Sequence, residues 1–541
     1  MTSFDPAARA SRTLTWALPL VLGSACASLK PLPSSPHLEQ LTEQSVFANA
    51  PAPEWAQVQA EDLAKASVDV TCGLSPVLAN GSMYSAITVK GRQMEGQVAP
   101  LNVALVLDRS GSMRGDPFAG MLAAAEAFVN QFREGDKVSV VVFSDGVFEA
   151  LAPVTINPQT RADAVARIRS LNDGGGTWLS GGYMGGLFET FVTFSQWQVN
   201  QVVLFSDGQP TQGITDSNQL FDLAARAAEH GVGTTTIGFG ALHDELLMQG
   251  MADAGGGTYH YVGAPGDIAK IFTREANSIL RTAVRATWAE VEVPVGLNVE
   301  DVIGWDYVII GSKLYVFVGA VPYGEERYAV IKYKPSAALR TGALSTAISY
   351  SDVNRRGKFG VTCAPAITQT GGKETWVLEA AGRAEAAWGL AEAMGWADGG
   401  SEVYAMSQIG TSRELLKVLR APLNPQALMT EDKMLAEAQT RLGFGVAKEA
   451  TGSFLSGGVA GLMNYGARTA EKTATAAVVD SIDKGFRPLV RQGMPFSFYG
   501  RAGTRYSARG QRPFKLYEPE KSNKYKQARF DAYVMMRVNT P

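Results

Sequence analysis

Three oxygen-bearing side chains alternate along a short loop: Asp108, Ser110 and Ser112 are separated by single residues. The apolar run Val103–Leu107 comes directly before them and is typical of a buried strand in a parallel sheet. Gly111 allows the backbone to turn sharply, so the three oxygens can face one point at the carboxyl end of that strand. Oxygen ligands of this kind suit a hard divalent cation such as Mg2+. The loop therefore indicates a metal-dependent binding site.

Two further loops carry residues of the same chemistry. A second apolar run, Gln201–Phe205, ends in Ser206-Asp207-Gly208, and a glycine-rich loop between the two runs ends at Thr177. Each aspartate alone could equally cap a following helix. Three such loops in this order favour one shared site over separate helix caps.

The combined pattern of D-x-S-x-S, a Gly-Gly-Thr loop and a strand ending in Ser-Asp-Gly resembles the von Willebrand factor A family. In that family these positions form the metal-ion-dependent adhesion site. The resemblance implies that Ser110 and Ser112 bind the cation directly and that Thr177 binds it directly or through water. Asp108 and Asp207 would hold coordinated waters. An open coordination position would accept a carboxylate from a protein partner, with Mg2+, or else Mn2+ or Ca2+, as the cofactor.

Strand-like and helix-like segments alternate through residues 101–283, which predicts an α/β domain with a doubly wound, mostly parallel, Rossmann-like sheet. Further predicted strands are Val138–Phe143, an antiparallel edge strand at Phe148–Ile156, Gly233–Phe239 and Thr258–Val262. The predicted helices are Ala119–Phe132, Thr160–Leu171, Tyr183–Phe194, Ser217–His230, His243–Ala254 and Ile268–Ala283.

Ligand specificity would come from the loops around the metal, which are Arg114–Phe118, Trp178–Tyr183 and Gln209–Asp216.

Segments on both sides of that domain, 66–100 and 284–370, alternate apolar and polar residues between turns, which predicts a β-sandwich that surrounds or follows the α/β domain. This arrangement resembles secreted bacterial proteins akin to inter-alpha-trypsin-inhibitor heavy chains. Cys72 and Cys363 lie in these segments and can form a disulfide in an exported protein, with two free buried thiols as the alternative. Residues 371–450 read as a helical region, whose tryptophans we expect in the core between helices.

The N-terminus predicts export. Its apolar segment, Leu14–Leu22, is too short to span a membrane and is typical of a secretory signal over residues 1–27. The residues before Cys26 resemble a bacterial lipobox, in which this cysteine is lipidated and would anchor the protein to the outer membrane. Cleavage after Ala27, or an ordinary buried cysteine, is the alternative. Residues 28–65 then read as a linker.

Residues 451–541 are rich in glycine at first and then basic and aromatic. From Lys484 onward, 13 Lys or Arg residues stand against three acids, whereas the whole chain carries a net charge of only −3. Such a tail can contact anionic envelope components or a protein partner, or remain a disordered solubilising segment. Nucleic acid is disfavoured because no RNA- or DNA-binding motif accompanies the basic residues.

The sequence offers little chemistry for catalysis. The four histidines show no metal-ligand spacing, and Ser110 does not lie in a G-x-S-x-G elbow. We therefore expect an exported cell-envelope protein that is not an enzyme and that captures a protein partner through its metal. The alternative is a non-adhesive scaffold of an envelope assembly or secretion complex, in which the metal mainly stabilises the domain.

Overall fold

The structure is a computed structural model that describes residues 35–48, 50–51, 58–92, 99–239, 243–262, 278–279, 281–305, 307–355, 357–368, 370–398, 402–454 and 504–506. The predicted signal segment with Cys26, most of the helix predicted at 268–283 and nearly all of the tail at 451–541 lie outside the described residues. Among the helices that are described, none is long and apolar enough to cross a membrane.

The strands follow the runs of β-branched and aromatic residues that suit a pleated surface. They are β1 Val58–Ala60, β2 Val68–Leu74, β3 Met83–Gly91, β4 Leu101–Asp108, β5 Lys137–Phe143, β6 Val147–Thr155, β7 Val199–Ser206, β8 Val232–Phe239, β9 Gly256–Val262, β10 Thr282–Glu292, β11 Leu297–Ile303, β12 Tyr307–Ile310, β13 Lys313–Pro322, β14 Glu326–Pro335, β15 Gly342–Ala343, β16 Thr346–Asp352, β17 Lys358–Cys363, β18 Ala366–Ile367 and β19 Thr504–Tyr506. The helices are α1 Pro36–Glu39, α2 Glu43–Phe47, α3 Asp116–Gln131, α4 Pro158–Arg169, α5 Leu179–Val192, α6 Ser217–Glu229, α7 Glu245–Ala254, α8 Trp376–Asp398, α9 Glu402–Arg420 and α10 Met429–Phe454.

The α/β domain is built on a six-stranded sheet in the order β6-β5-β4-β7-β8-β9. Every neighbouring pair is parallel except β5 and β6. Parallel neighbours require crossover connections, which the intervening helices supply on the faces of the sheet. Strands β4 and β7 are buried along their whole length, as their unbroken apolar runs predict. The predicted doubly wound sheet with an antiparallel edge strand is confirmed.

Helix α5 lies unusually close to the sheet. A Cβ atom added at Gly186 would come within 2.3 Å of Val106 Cγ2, so only glycine allows this approach. Its glycines lower helix propensity by about 1 kcal/mol each relative to alanine, which is why the sequence predicts a later start at Tyr183. The helix begins at Leu179 because Leu179, Tyr183 and Leu187 are all fully buried against the sheet. Burial of each such side chain contributes about 1.5–3 kcal/mol and outweighs the glycine cost.

Two other sheets pack face to face as a β-sandwich. The larger has the order β1-β17-β16-β10-β13-β12-β19, and the smaller has the order β11-β14-β3-β2. Their shared apolar core includes Val284, Val316, Ile331 and Tyr350. Because β1–β3 precede the α/β domain and β10–β18 follow it, that domain is inserted within the sandwich.

The described part of segment 28–65, which the sequence presents as a linker, forms structure. Helices α1 and α2 pack against α5 through Leu38 and Val46, whose side chains are fully buried, and β1 pairs with β17. These short elements are stabilised by long-range apolar contacts, which the local pattern of apolar residues does not predict.

Cys72 of β2 and Cys363 of β17 are joined by a disulfide, with their Cα atoms 6.0 Å apart. The two cysteines lie in different sheets of the sandwich and are separated by 291 residues, a span that includes the whole α/β domain. The bond therefore clamps the strand that leads toward the inserted domain to a strand that follows it.

The helical region covers the outer face of the smaller sheet. Helices α8, α9 and α10 pack on one another, and α8 contacts β3, β2, β11 and β14. Two polar contacts fix this docking: Tyr84 Oη donates to Glu385 Oε1 at 3.0 Å, and Lys332 Nζ lies 3.3 Å from the same oxygen. Trp388 is buried within this helical core.

Reduction of the Cys72–Cys363 bond should destabilise the protein. A cross-link across so long a loop restricts the unfolded chain, so its loss should lower the free energy of unfolding by about 2–5 kcal/mol. Chemical unfolding with and without reductant measures the change, and the double variant Cys72→Ala, Cys363→Ala serves as the control that reductant cannot alter. Equal unfolding midpoints for the oxidised and reduced protein would contradict the prediction.

Candidate metal site

All five residues singled out by the sequence meet at one edge of the α/β sheet. Asp108 is the last residue of β4, and Asp207 directly follows β7. Since β4 and β7 are adjacent and parallel, their carboxyl ends lie side by side. Thr177 reaches the same edge just before the first turn of α5.

Asp108 forms the buried floor of the site, and both of its carboxylate oxygens are held in place. Oδ1 accepts a hydrogen bond from the backbone N–H of Ser110 at 2.8 Å, and Oδ2 accepts from Ser206 Oγ at 2.5 Å. Each carboxylate oxygen has two lone pairs, so these bonds orient the group and leave acceptor capacity for a further donor. A water bound to a cation is such a donor.

The two serines of the first loop place their hydroxyls side by side. Ser110 Oγ lies 3.0 Å from Ser112 Oγ, and the Ser112 hydroxyl also donates to the Asp207 carboxylate. Adjacent ligands of an octahedral Mg2+ ion, with metal–oxygen distances near 2.1 Å, lie about 3.0 Å apart. The spacing of the hydroxyls therefore matches neighbouring positions in one coordination shell.

The glycine loop is bonded to both of the other loops. Gly111 N donates to Gly175 O at 2.9 Å, Thr177 N donates to Thr211 Oγ1 at 3.0 Å, and Thr211 N donates to Thr177 O at 2.8 Å. Gly175 has φ of 99°, a conformation that residues with a side chain rarely adopt. These bonds fix the backbone of Thr177, whose side chain is only 4% exposed.

The electrostatics of the site favour a bound cation. Burial, and then the charge of Asp207, raise the pKa of Asp108 to about 7. Burial also raises the pKa of Asp207, although the hydrogen bond from Ser112 partly offsets this. Two buried carboxylates with raised pKa values lie here among hydroxyls, and no nitrogen or sulfur ligand accompanies them among the described residues. This donor set fits a hard divalent ion.

Three further residues hold the metal-site loops in place, and the sequence alone did not predict this role for them. Ser206 and Thr211 make the contacts given above, and Asp145 Oδ1 accepts a hydrogen bond from Gly176 N at 2.6 Å. Asp145 lies in the tripeptide Ser144-Asp145-Gly146, just after β5. The same tripeptide occurs as Ser206-Asp207-Gly208 at the end of β7. This repeat at the end of a neighbouring parallel strand was a signal that could have found it.

Only part of the predicted specificity loops faces outward. Tyr183 is fully buried, and its hydroxyl lies 2.6 Å from Thr234 Oγ1, so it belongs to the core of the domain. The exposed rim consists of Ser112 and of the exposed residues of the other two loops, which are Arg114, Gly115, Asp116, Gln209, Thr211, Gln212, Gly213, Thr215 and Asp216.

Comparison with known proteins agrees with this geometry. Residues 102–274 match the family model of the von Willebrand factor type A domain, and the chain contains such a domain. Among solved structures, a von Willebrand factor type A protein from Catenulispora acidiphila shares the fold, with a TM-score of 0.50 and 15% identity over 66% of this chain and 91% of that chain.

Two curated relatives match over a shorter stretch. The chain is 26% identical over 208 residues to the uncharacterized protein YfbK of Escherichia coli K12, covering 38% of this chain and 36% of that protein. It is 28% identical over 227 residues to an uncharacterized protein of Synechocystis, covering 39% of this chain and 52% of that protein. The chain therefore spans about a third to a half of the length of these relatives.

Without a divalent cation, the stability of the protein should fall as the pH rises from about 4 to about 7. The pKa of Asp108 is about 7 in the folded protein and about 3.9 in an unfolded chain, so the folded state binds more protons in this window. Urea unfolding in EDTA should show a loss of the order of 1–4 kcal/mol between these limits. Asp108→Asn cannot titrate and should show a flatter profile; identical profiles for the two proteins would contradict this assignment.

Removal of the Ser206 hydroxyl should weaken Mg2+ binding. Ser206→Ala leaves Asp108 Oδ2 without its donor, and loss of such a supporting contact weakens metal affinity by about 10–100-fold. Isothermal titration with Mg2+ measures the change. Ser144→Ala is the matched control, because Ser144 occupies the equivalent position in the tripeptide Ser144-Asp145-Gly146 and its hydroxyl accepts a hydrogen bond from Arg109. Equal affinities for the two variants would count against a role for Ser206.

Proposed function

We propose that the von Willebrand factor type A domain of this protein binds a protein partner through a divalent cation held by Ser110, Ser112 and Thr177. Asp108 and Asp207 would hold the waters of that cation. The main support is that solvent exposure of the side chains differs from one side of the site to the other. Asp108 is completely buried, Asp207 is 7% exposed, and Ser112 is exposed, so a cation here would lie on a buried anionic floor and face solvent on one side.

The ligand chemistry explains why a partner's carboxylate would bind. Mg2+ supplies a concentrated positive charge, and neutral hydroxyls in direct contact with the ion leave most of that charge uncompensated. The carboxylates contribute from one layer below. An acidic side chain from a partner would complete the coordination shell and neutralise the remaining charge. We take Mg2+ as the resident ion, with Mn2+ or Ca2+ as the alternatives.

Binding is also a better account of the two serines than nucleophilic catalysis. An activated serine requires a neighbouring base that removes its proton. The hydroxyls of Ser110 and Ser112 contact each other and the two aspartates, and no histidine shares these contacts among the described residues. We infer that the site captures and does not turn over its ligand.

We place this protein in the cell envelope. The disulfide between Cys72 and Cys363 supports an oxidising compartment outside the cytoplasm. The same proposal includes an export signal over residues 1–27 and lipidation of Cys26. It also includes contact of the basic tail with anionic envelope components.

The buried carboxylate pair also favours a second function, in which the cation mainly stabilises the domain of an envelope scaffold. A bound cation would neutralise two carboxylates whose pKa values burial raises, so it would add stability whether or not a partner binds. The two functions differ in one observable: only adhesion requires that binding of a partner depend on the metal.

A capture experiment separates them. The immobilised chain is incubated with solubilised envelope proteins in Mg2+, and bound proteins are eluted with EDTA. Asp108→Ala should lose at least 10-fold of the EDTA-eluted protein, because the cation loses its buried anchor. Asp163→Asn removes an exposed carboxylate from α4, outside the five residues and the rim, and it should retain capture. Conversion of the captured protein's carboxylates to amides should abolish rebinding.

Partner capture that survives both EDTA and Asp108→Ala would refute the adhesion proposal. The scaffold function would then be supported if Mg2+ still raised the melting temperature of the wild-type protein and not that of Asp108→Ala.

A further inference from the structure

A second group of metal-ligating side chains lies at the outer edge of the α/β sheet. His37 of α1, Glu149 of β6 and Glu189 of α5 each offer one ligand atom, and these atoms all lie within 4.8 Å of one another. His37 Nε2 and Glu149 Oε2 are 3.1 Å apart. The group is built on the edge strand and on a segment that precedes the domain, and it shares no residue with the Asp108 site.

Glu189 is the buried member of this group. Its side chain is only 4% exposed, and no side-chain donor among the described residues contacts its carboxylate. Burial, and then the charge of Glu149, raise the pKa of Glu189 to about 7. A buried carboxylate without a donor, aimed at a second carboxylate, is costly unless a cation compensates it.

His37 is held in position by backbone pairing and packing. Ser35 N donates to Val147 O at 3.0 Å, and Glu149 N donates to Ser35 Oγ at 2.9 Å, so the residues before α1 attach to the exposed side of β6. Leu38 is buried beside His37 and packs into the core of the α/β domain. The imidazole is therefore presented to the two carboxylates by a docked helix.

We propose that His37, Glu149 and Glu189 bind a divalent transition-metal ion, Zn2+ in the first instance, and that this ion fastens the N-terminal segment to the edge of the α/β domain. Imidazole nitrogen and carboxylate oxygen are both zinc ligands, with bonds of about 2.0–2.2 Å. Tetrahedral ligands at those distances lie about 3.3–3.6 Å apart. The observed separation of His37 Nε2 and Glu149 Oε2, 3.1 Å, is slightly shorter. Water would fill the fourth position.

The nitrogen ligand distinguishes this site from the Asp108 site. Imidazole favours Zn2+ over Mg2+, whereas an all-oxygen set with hydroxyls favours Mg2+. The ion would also strengthen the cover that α1 provides for β6, an edge strand whose unpaired backbone groups could otherwise pair with another chain.

Zinc binding by the full chain in an Asp108→Ala background tests the site alone. Isothermal titration with ZnCl2, together with metal analysis after dialysis, should show about one Zn2+ per chain and a raised melting temperature. Hydrogen exchange within residues 35–48 should slow at least several-fold when Zn2+ is added. Glu189→Gln and His37→Gln should each lose these effects by 10-fold or more in affinity. Glu39→Gln, which removes a carboxylate from the same helix but outside the triad, should keep them.

The apo protein provides a second readout that does not depend on metal loading. Glu189→Gln keeps the shape of the side chain and removes its charge, so without metal this variant should melt at the same or a higher temperature than its parent. Absence of zinc binding in the Asp108→Ala protein would overturn the proposal. Retention of the zinc-induced shift by both Glu189→Gln and His37→Gln would overturn it as well.

Discussion

Parallel pairing of β4 with β7 is the constraint on which the metal site depends. It brings Asp108 and Asp207 to one edge of the sheet, where burial and mutual repulsion raise the pKa of Asp108 to about 7. The surrounding chain compensates with donors: Ser110 N and Ser206 Oγ hold one carboxylate, and Ser112 holds the other. A floor of this kind suits a cation, and its outer side is open to a partner.

Packing contacts and a disulfide in the rest of the molecule support this edge of the sheet. Close packing of α5 on the sheet fixes the loop that carries Thr177, because Gly186 admits no side chain between helix and strand. Strands of the β-sandwich precede and follow the α/β domain along the chain. The Cys72–Cys363 bond joins one strand from each side. In the N-terminal segment, α1 and α2 pack against α5, and α1 also contacts β6. Binding energy at the metal would therefore act on a preorganised surface.

The local physics of the sequence predicted the α/β domain well and the long-range docking poorly. Unbroken apolar runs predict buried parallel strands, and the oxygen-bearing residues in the loops at their ends indicate metal ligands. The five site residues could therefore be predicted from the sequence. Asp145 was also within reach, since its Ser-Asp-Gly tripeptide repeats that of Asp207. The meeting of His37 with Glu149 and Glu189 was not, because it depends on a four-residue helix docking more than a hundred residues away in sequence.

We propose that the hydroxyls of Ser110, Ser112 and Thr177 bind one cation above the two buried aspartates. Crystals soaked in Mn2+, with anomalous diffraction recorded near the manganese edge, locate that ion directly. We expect one strong anomalous peak about 2.1–2.3 Å from the hydroxyl oxygens of Ser110 and Ser112, and we expect Asp108→Ala crystals to lack it. A well-ordered loop with no peak, or a peak bound elsewhere and unaffected by Asp108→Ala, would contradict it.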